Sequence, residues 1–123
     1  MTSDRLTLLA QQVVDLVQRR LPDRVKAAAA SVPVCYEPQP NAALVADGLE
    51  PDLLGLFVGH EHLGDLGDGE SLPPQILLFI ENIWDLAEGD ETVYRDEVRL
   101  TYLHELGHFL GWDEDEIARR GLE

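Results

Sequence analysis

Residues 92–110, TVYRDEVRLTYLHELGHFL, carry a pattern that only a long α-helix with two differently employed sides satisfies. At about 100° per residue, Glu97, Thr101, His104 and His108 fall on one stripe. Leu100, Leu103, Leu106, Gly107 and Leu110 fall on a second, apolar one. Such a helix has to bury its leucines against another layer and leave the histidine stripe lining a cleft. Gly107 lies on the apolar stripe, where a missing side chain lets a strand come close.

The rest of the chain supplies the other layer. Leu6, Leu9, Ala10, Val13, Leu16 and Val17 recur at helical spacing, which predicts a helix ending near Arg19 and Arg20, with Ser3 or Asp4 as its N-cap. Pro22 opens a second, short helix through DRVKAAAA. VPVCYEP alternates as a strand does, and Pro33 assigns it to a sheet edge or makes the proline an early residue. LLGLFVG (Leu53–Gly59) reads as a second strand and QILLFIE (Gln75–Glu81) as a third, separated by a loop rich in Gly, Asp and Pro. NIWDLAEGD reads as a turn or one or two helical turns. The order helix–strand–strand–strand–helix, without repeats or linkers, predicts an α+β domain covering 1–123.

Charge narrows the partners. The formal net charge is −15, with 24 acidic against nine basic residues. Residues 1–34 hold five basic and three acidic side chains, so the acid excess lies in residues 35–123. This distribution speaks against a nucleic-acid surface and against an anionic membrane surface. No apolar run reaches the roughly 20 residues that span a bilayer. The N-terminus lacks the features of a signal peptide. A single cysteine, Cys35, suits a reducing compartment, and the expected location is cytoplasmic. The oligomeric state is not legible.

The chemistry concentrates in His104-Glu105-Leu106-Gly107-His108, an H-E-x-x-H sequence. Positions i and i+4 of a helix lie about 40° apart, so both imidazoles can reach one zinc ion. Glu105 sits about 100° from His104, at the side of the site, where it can take a proton from a water at the ion's open position. The bland alternative is a pair of ordinary polar residues on an exposed helix face. Gly111 follows as a helix stop that reverses the chain. Asp113, Glu114, Asp115 and Glu116 come next, and each is a candidate oxygen ligand for a catalytic site with three protein ligands and one open position.

VRLTYLHELGHFLGWDEDE resembles the signature of the small zincin-like metallopeptidases, the minimal zincins, with the extended pattern HExxHxxGxx(D/E). VPVCYEPQP, LLGLFVG and SLPPQILLFIENI follow that family's order of elements, so the resemblance covers most of residues 20–120. It implies a minimal zincin-like fold, a small mixed sheet packed on helices, and a cytosolic bacterial protein. It implies one zinc ion, with His104 and His108 as ligands, Glu105 as general base and Gly111 as the turn glycine. Its third ligand falls ten residues after the first histidine, at Glu114, with Asp113 and Asp115 as alternatives in a slipped register.

By the same resemblance the activity is hydrolysis of peptide bonds in a peptide or protein substrate. The strand Gln75–Glu81 is expected at the sheet edge above the cleft, where an extended peptide can add as another strand. Larger zincins draw an oxyanion donor from a further domain. The nine residues after Glu114 leave no room for one, which implies a slow or narrowly specific peptidase. Tyr102 faces about 160° away from His104 and Tyr94 lies some three turns upstream. His60 and His62 read as surface histidines, Trp84 as a packing residue, and Trp112 as one that also borders the cleft. The alternative function is a zinc-binding scaffold that interacts with proteins without turnover.

Overall fold

The computed structural model describes residues 1–59, 73–112 and 114–119, with only the backbone described at 114, 117 and 118. The chain begins with α1 (Ser3–Arg20), α2 (Asp23–Ala30), β1 (Val34–Glu37) and α3 (Ala42–Ala46). It continues through β2 (Gly55–Val58), β3 (Gln75–Phe79), α4 (Ile80–Leu86), α5 (Glu91–Phe109) and α6 (Glu114–Arg119). The expected α+β architecture is present: three strands in a mixed sheet, packed on helices.

Local chemistry explains the helix boundaries. The α1 cap is Thr2, one residue before the expected Ser3, because its extended backbone lets the hydroxyl accept from the Arg5 N–H at 3.2 Å. Asp90 caps α5 by accepting from the Val93 N–H at 3.1 Å, which starts that helix one residue before the expected Thr92. Asn41 caps the short α3 in the same way at 2.9 Å.

The sheet order is β1-β3-β2, with β1 parallel and β2 antiparallel to β3. Pro33 accordingly precedes an edge strand, and its carbonyl accepts from the Ile76 N–H at 2.9 Å. The third strand departs from expectation. It is the central strand and not an edge, and it stops at Phe79, so Ile80 and Glu81 belong to α4. The helix wins there because it buries Ile80 and Ile83 together, at 2% and 0% exposure, on the side facing α1 and α5.

Helix α5 is the hub. It packs against β2, β3, α1 and α4. Its core side is carried by Tyr94, Val98, Tyr102 and Leu106, each fully buried, together with Leu103 and Phe109. These meet Leu6, Leu9 and Ala10 of α1 and Ile76 and Leu78 of β3. Both tyrosine hydroxyls find partners, as buried phenols must. Tyr94 donates to the Leu6 carbonyl at 2.8 Å, and Tyr102 accepts from the Gln18 amide at 3.0 Å. Trp84 packs edge-to-face on Tyr94, with ring centroids 5.6 Å apart.

The chain's three tyrosines all have a neutral form favoured by the fold. Burial, with lesser help from Tyr102 and Cys35, pushes Tyr36 up to about 12. Burial likewise raises Tyr94 and Tyr102, although the Gln18 hydrogen bond works the other way for Tyr102. A phenol whose value is raised on folding contributes stability below its unfolded value of about 10 and loses it as the pH climbs through the folded value. Folding stability should therefore be insensitive to these groups up to about pH 10 and fall above it. In an absorbance titration the native chain should show almost no tyrosinate where the urea-unfolded chain is half ionised. Tyrosinate rising near pH 10 while circular dichroism stays native would contradict this.

Candidate metal centre

The ligand stripe of α5 is built as its spacing predicts. The nearest ligand atoms of His104, Glu105 and His108 all lie within 4.8 Å of one another, and all three residues are half-buried. The imidazole rings are 4.7 Å apart, at 80° to each other. Two imidazoles converging from one helix at partial burial are donors suited to zinc, and the Glu105 carboxylate stands beside them. No other such group occurs among the described residues.

The helix ends in a Schellman turn anchored on the motif itself. Gly111 takes φ of 80°. Its N–H donates to the His108 carbonyl at 3.0 Å, and the Trp112 N–H donates to the Gly107 carbonyl at 2.9 Å. The reversal expected at Gly111 is thus present and leads directly into α6, whose first residue is Glu114. Asp113 and the Glu114 side chain lie outside the described residues, as do His60 and His62. Asp115 is exposed, and Glu116 is paired with Arg119 one turn on. Trp112 is half-buried against the core.

A cleft of about 570 Å³ opens beside His104 and Glu105, lined also by Leu53, Leu54, Gly55, Leu100 and Thr101. Leu100, expected on the core stripe, lines this cleft instead. Thr101, expected on the cleft stripe, does line the cleft, although it is largely buried. The place of Leu100 in the core is taken by Tyr94, Val98 and Tyr102, large side chains that can reach across to α1 and β3. Neither Tyr94 nor Tyr102 offers its hydroxyl to the metal centre, since both hydroxyls are engaged with α1.

The wall facing α5 is formed by Leu53, Leu54 and Gly55, the lead into β2 and its first residue, and in the sequence only Gly55 betrays its importance. An added Cβ at Gly55 would lie 2.6 Å from the Thr101 methyl and 3.3 Å from both the Glu105 side chain and the Leu77 carbonyl. A glycine inside a strand is a known mark of close backbone approach. The close strand–helix contact is therefore relieved from the strand side. Asn82 steadies the lead into this strand: its amide donates to the Pro51 and Leu53 carbonyls at 2.8 and 2.9 Å. The Phe79 N–H donates to the Leu54 carbonyl at 2.9 Å.

The expected substrate strand needs correcting. Residues 75–79 are hydrogen-bonded to β1 on one side and β2 on the other, so they offer no free edge for strand addition. The edge that borders the histidines is β2. Cys35, on β1, is a half-buried free thiol that donates to the Gln75 side chain at 3.2 Å.

The zincin-like metallopeptidase family model matches residues 29–122. The chain belongs to the zincin-like metallopeptidases. The match spans the sheet, the metal centre and α6, so the fold and the His-Glu-x-x-His helix are those of a zincin-like domain. No curated protein matches the chain. None of the described helices is long and apolar enough to cross a membrane.

Gly55→Ala should lower stability by about 1–3 kcal/mol, because Thr101 is β-branched and stiff and cannot swing clear. Urea unfolding measures this. Thr101→Ser removes the methyl that the new Cβ meets, so the loss should be smaller in that background. Equal losses in both backgrounds would show that the Gly55–Thr101 contact is not what demands glycine.

Proposed function

We propose that this protein is a zinc-dependent peptidase that hydrolyses peptide bonds in extended peptide or protein segments. The observation that carries the reading is the convergence of His104, Glu105 and His108, the first two of which line a cleft beside β2. Membership of the zincin-like family supports it. One zinc ion would be held by His104, His108 and Glu114; the turn at Gly111 and the start of α6 at Glu114 support that third position. When bound, zinc acidifies a water and polarises the carbonyl that the water attacks.

The chain's own residues do the rest. The outer edge of β2, which pairs with no other strand among the described residues, binds the substrate backbone as an added strand. The neighbouring leucines of the cleft, Leu53, Leu54 and Leu100, take up an apolar side chain and exclude water from the reacting bond. Glu105 removes the proton of the attacking water and delivers it to the amine nitrogen as the C–N bond breaks. The single free thiol and the absence of a membrane-spanning helix among the described residues favour a cytoplasmic site of action.

The test is zinc content and cleavage measured together. Purified protein should hold one zinc per chain and cleave members of a mixed peptide library. Glu105→Gln should keep the zinc and reduce cleavage by about 10²-fold or more. His104→Ala should lose the zinc. Zinc-loaded protein that cleaves nothing in a broad library would instead favour a non-catalytic scaffold.

A further inference from the structure

We propose that the groove between α1 and α5 is a docking site for an acidic amphipathic helix of a partner protein, separate from the metal centre. The groove measures about 550 Å³ and lies on a different side of α5 from the histidines. Val13, Val17, Leu21 and Leu103 are among its apolar lining, and Leu16 stands beside them 46% exposed. Arg20, Arg95 and Arg99 also line it, against a single acid, Asp96. In a chain with 24 acids and nine bases, three arginines to one acid is a local inversion of charge.

The geometry selects the occupant. Arg95 and Arg99 stand at i and i+4, about 6 Å apart along one helix. Two carboxylates at i and i+4 of an incoming helix have the same spacing, and each guanidinium can grip one through two hydrogen bonds. The walls of the groove are two packed helices, which offer no strand edge but a trough into which a third helix can lay leucines. The present partners of these arginines are easily exchanged. Arg95 meets Glu91 at 3.6 Å and donates to the Gln12 side-chain oxygen at 3.5 Å, Arg99 meets Asp96 at 2.8 Å, and all of these contacts are exposed. The net charge of −15 repels an acidic partner at long range, but salt confines that field to about 8 Å, so the arginines decide the contact.

The probe is a labelled helical peptide of about 20 residues with leucines at i, i+3, i+4 and i+7 and glutamates flanking them. It is titrated into the full chain by fluorescence anisotropy. Binding should be saturable and should weaken at least about tenfold in Arg95→Glu/Arg99→Glu. Leu16→Asp should weaken it as well, and a lysine-for-glutamate peptide should prefer the double variant. Both arginine side chains are at least 40% exposed, so the double variant should keep its native circular dichroism. His104→Ala should bind the peptide unchanged, which separates this site from the peptidase reading. No saturable binding would overturn the proposal, as would binding indifferent to the double variant or equal binding of the lysine peptide. Binding of dodecanoate without binding of the peptide would overturn it in favour of an acyl ligand.

Discussion

The contact between α5 and the sheet governs everything else in this molecule. One helix must seal the core and present the edge of His104, Glu105 and His108 within the same five turns. It does so by rotation alone. Tyr94, Val98, Tyr102 and Leu106 point inward and are fully buried, while His104, Glu105 and His108 stay half-buried at the rim. Because the core side is anchored by close packing and by the Tyr94 and Tyr102 hydrogen bonds to α1, the rim side cannot roll. The imidazoles are preorganised by side chains that never approach the metal centre.

The cleft follows from a second constraint, the closeness of β2 to that helix. Gly55 lets the strand settle against Thr101, and Asn82 holds the turn that feeds it. The antiparallel edge of the sheet thus comes to lie beside the histidines. The Schellman turn adds a third element, since its two hydrogen bonds end on Gly107 and His108. Helix, edge strand and returning chain are all referenced to one short stretch of backbone, which suits a site needing its groups placed to a fraction of an ångström.

Much of this is legible in the sequence because it rests on local periodicity. The helix of α5, its glycine stop, the strand at β1 and the convergence of His104 with His108 all follow from residue spacing. What escapes depends on tertiary partners. QILLF looks the same as an edge or a central strand, because strand order is set by how the chain returns and not by the strand's own residues. Leu100 and Val98 are both apolar, and only the position of β2 decides that one lines the cleft and the other the core. Ile80 reads as a strand residue until α4 is seen to bury it with Ile83. Gly55 carried a usable signal, a glycine interrupting an apolar strand, and it marks a close approach of β2 to α5.

On the proposed reading, α5 and the returning chain jointly hold one zinc ion. A crystal structure of the zinc-loaded protein with anomalous data at the zinc edge tests it most directly. A single peak is expected between the His104 and His108 rings, with nitrogens at about 2.0–2.1 Å and a Glu114 oxygen within about 2.2 Å. Zinc bound elsewhere, or bound to both histidines with its third protein ligand from outside residues 113–116, would contradict it.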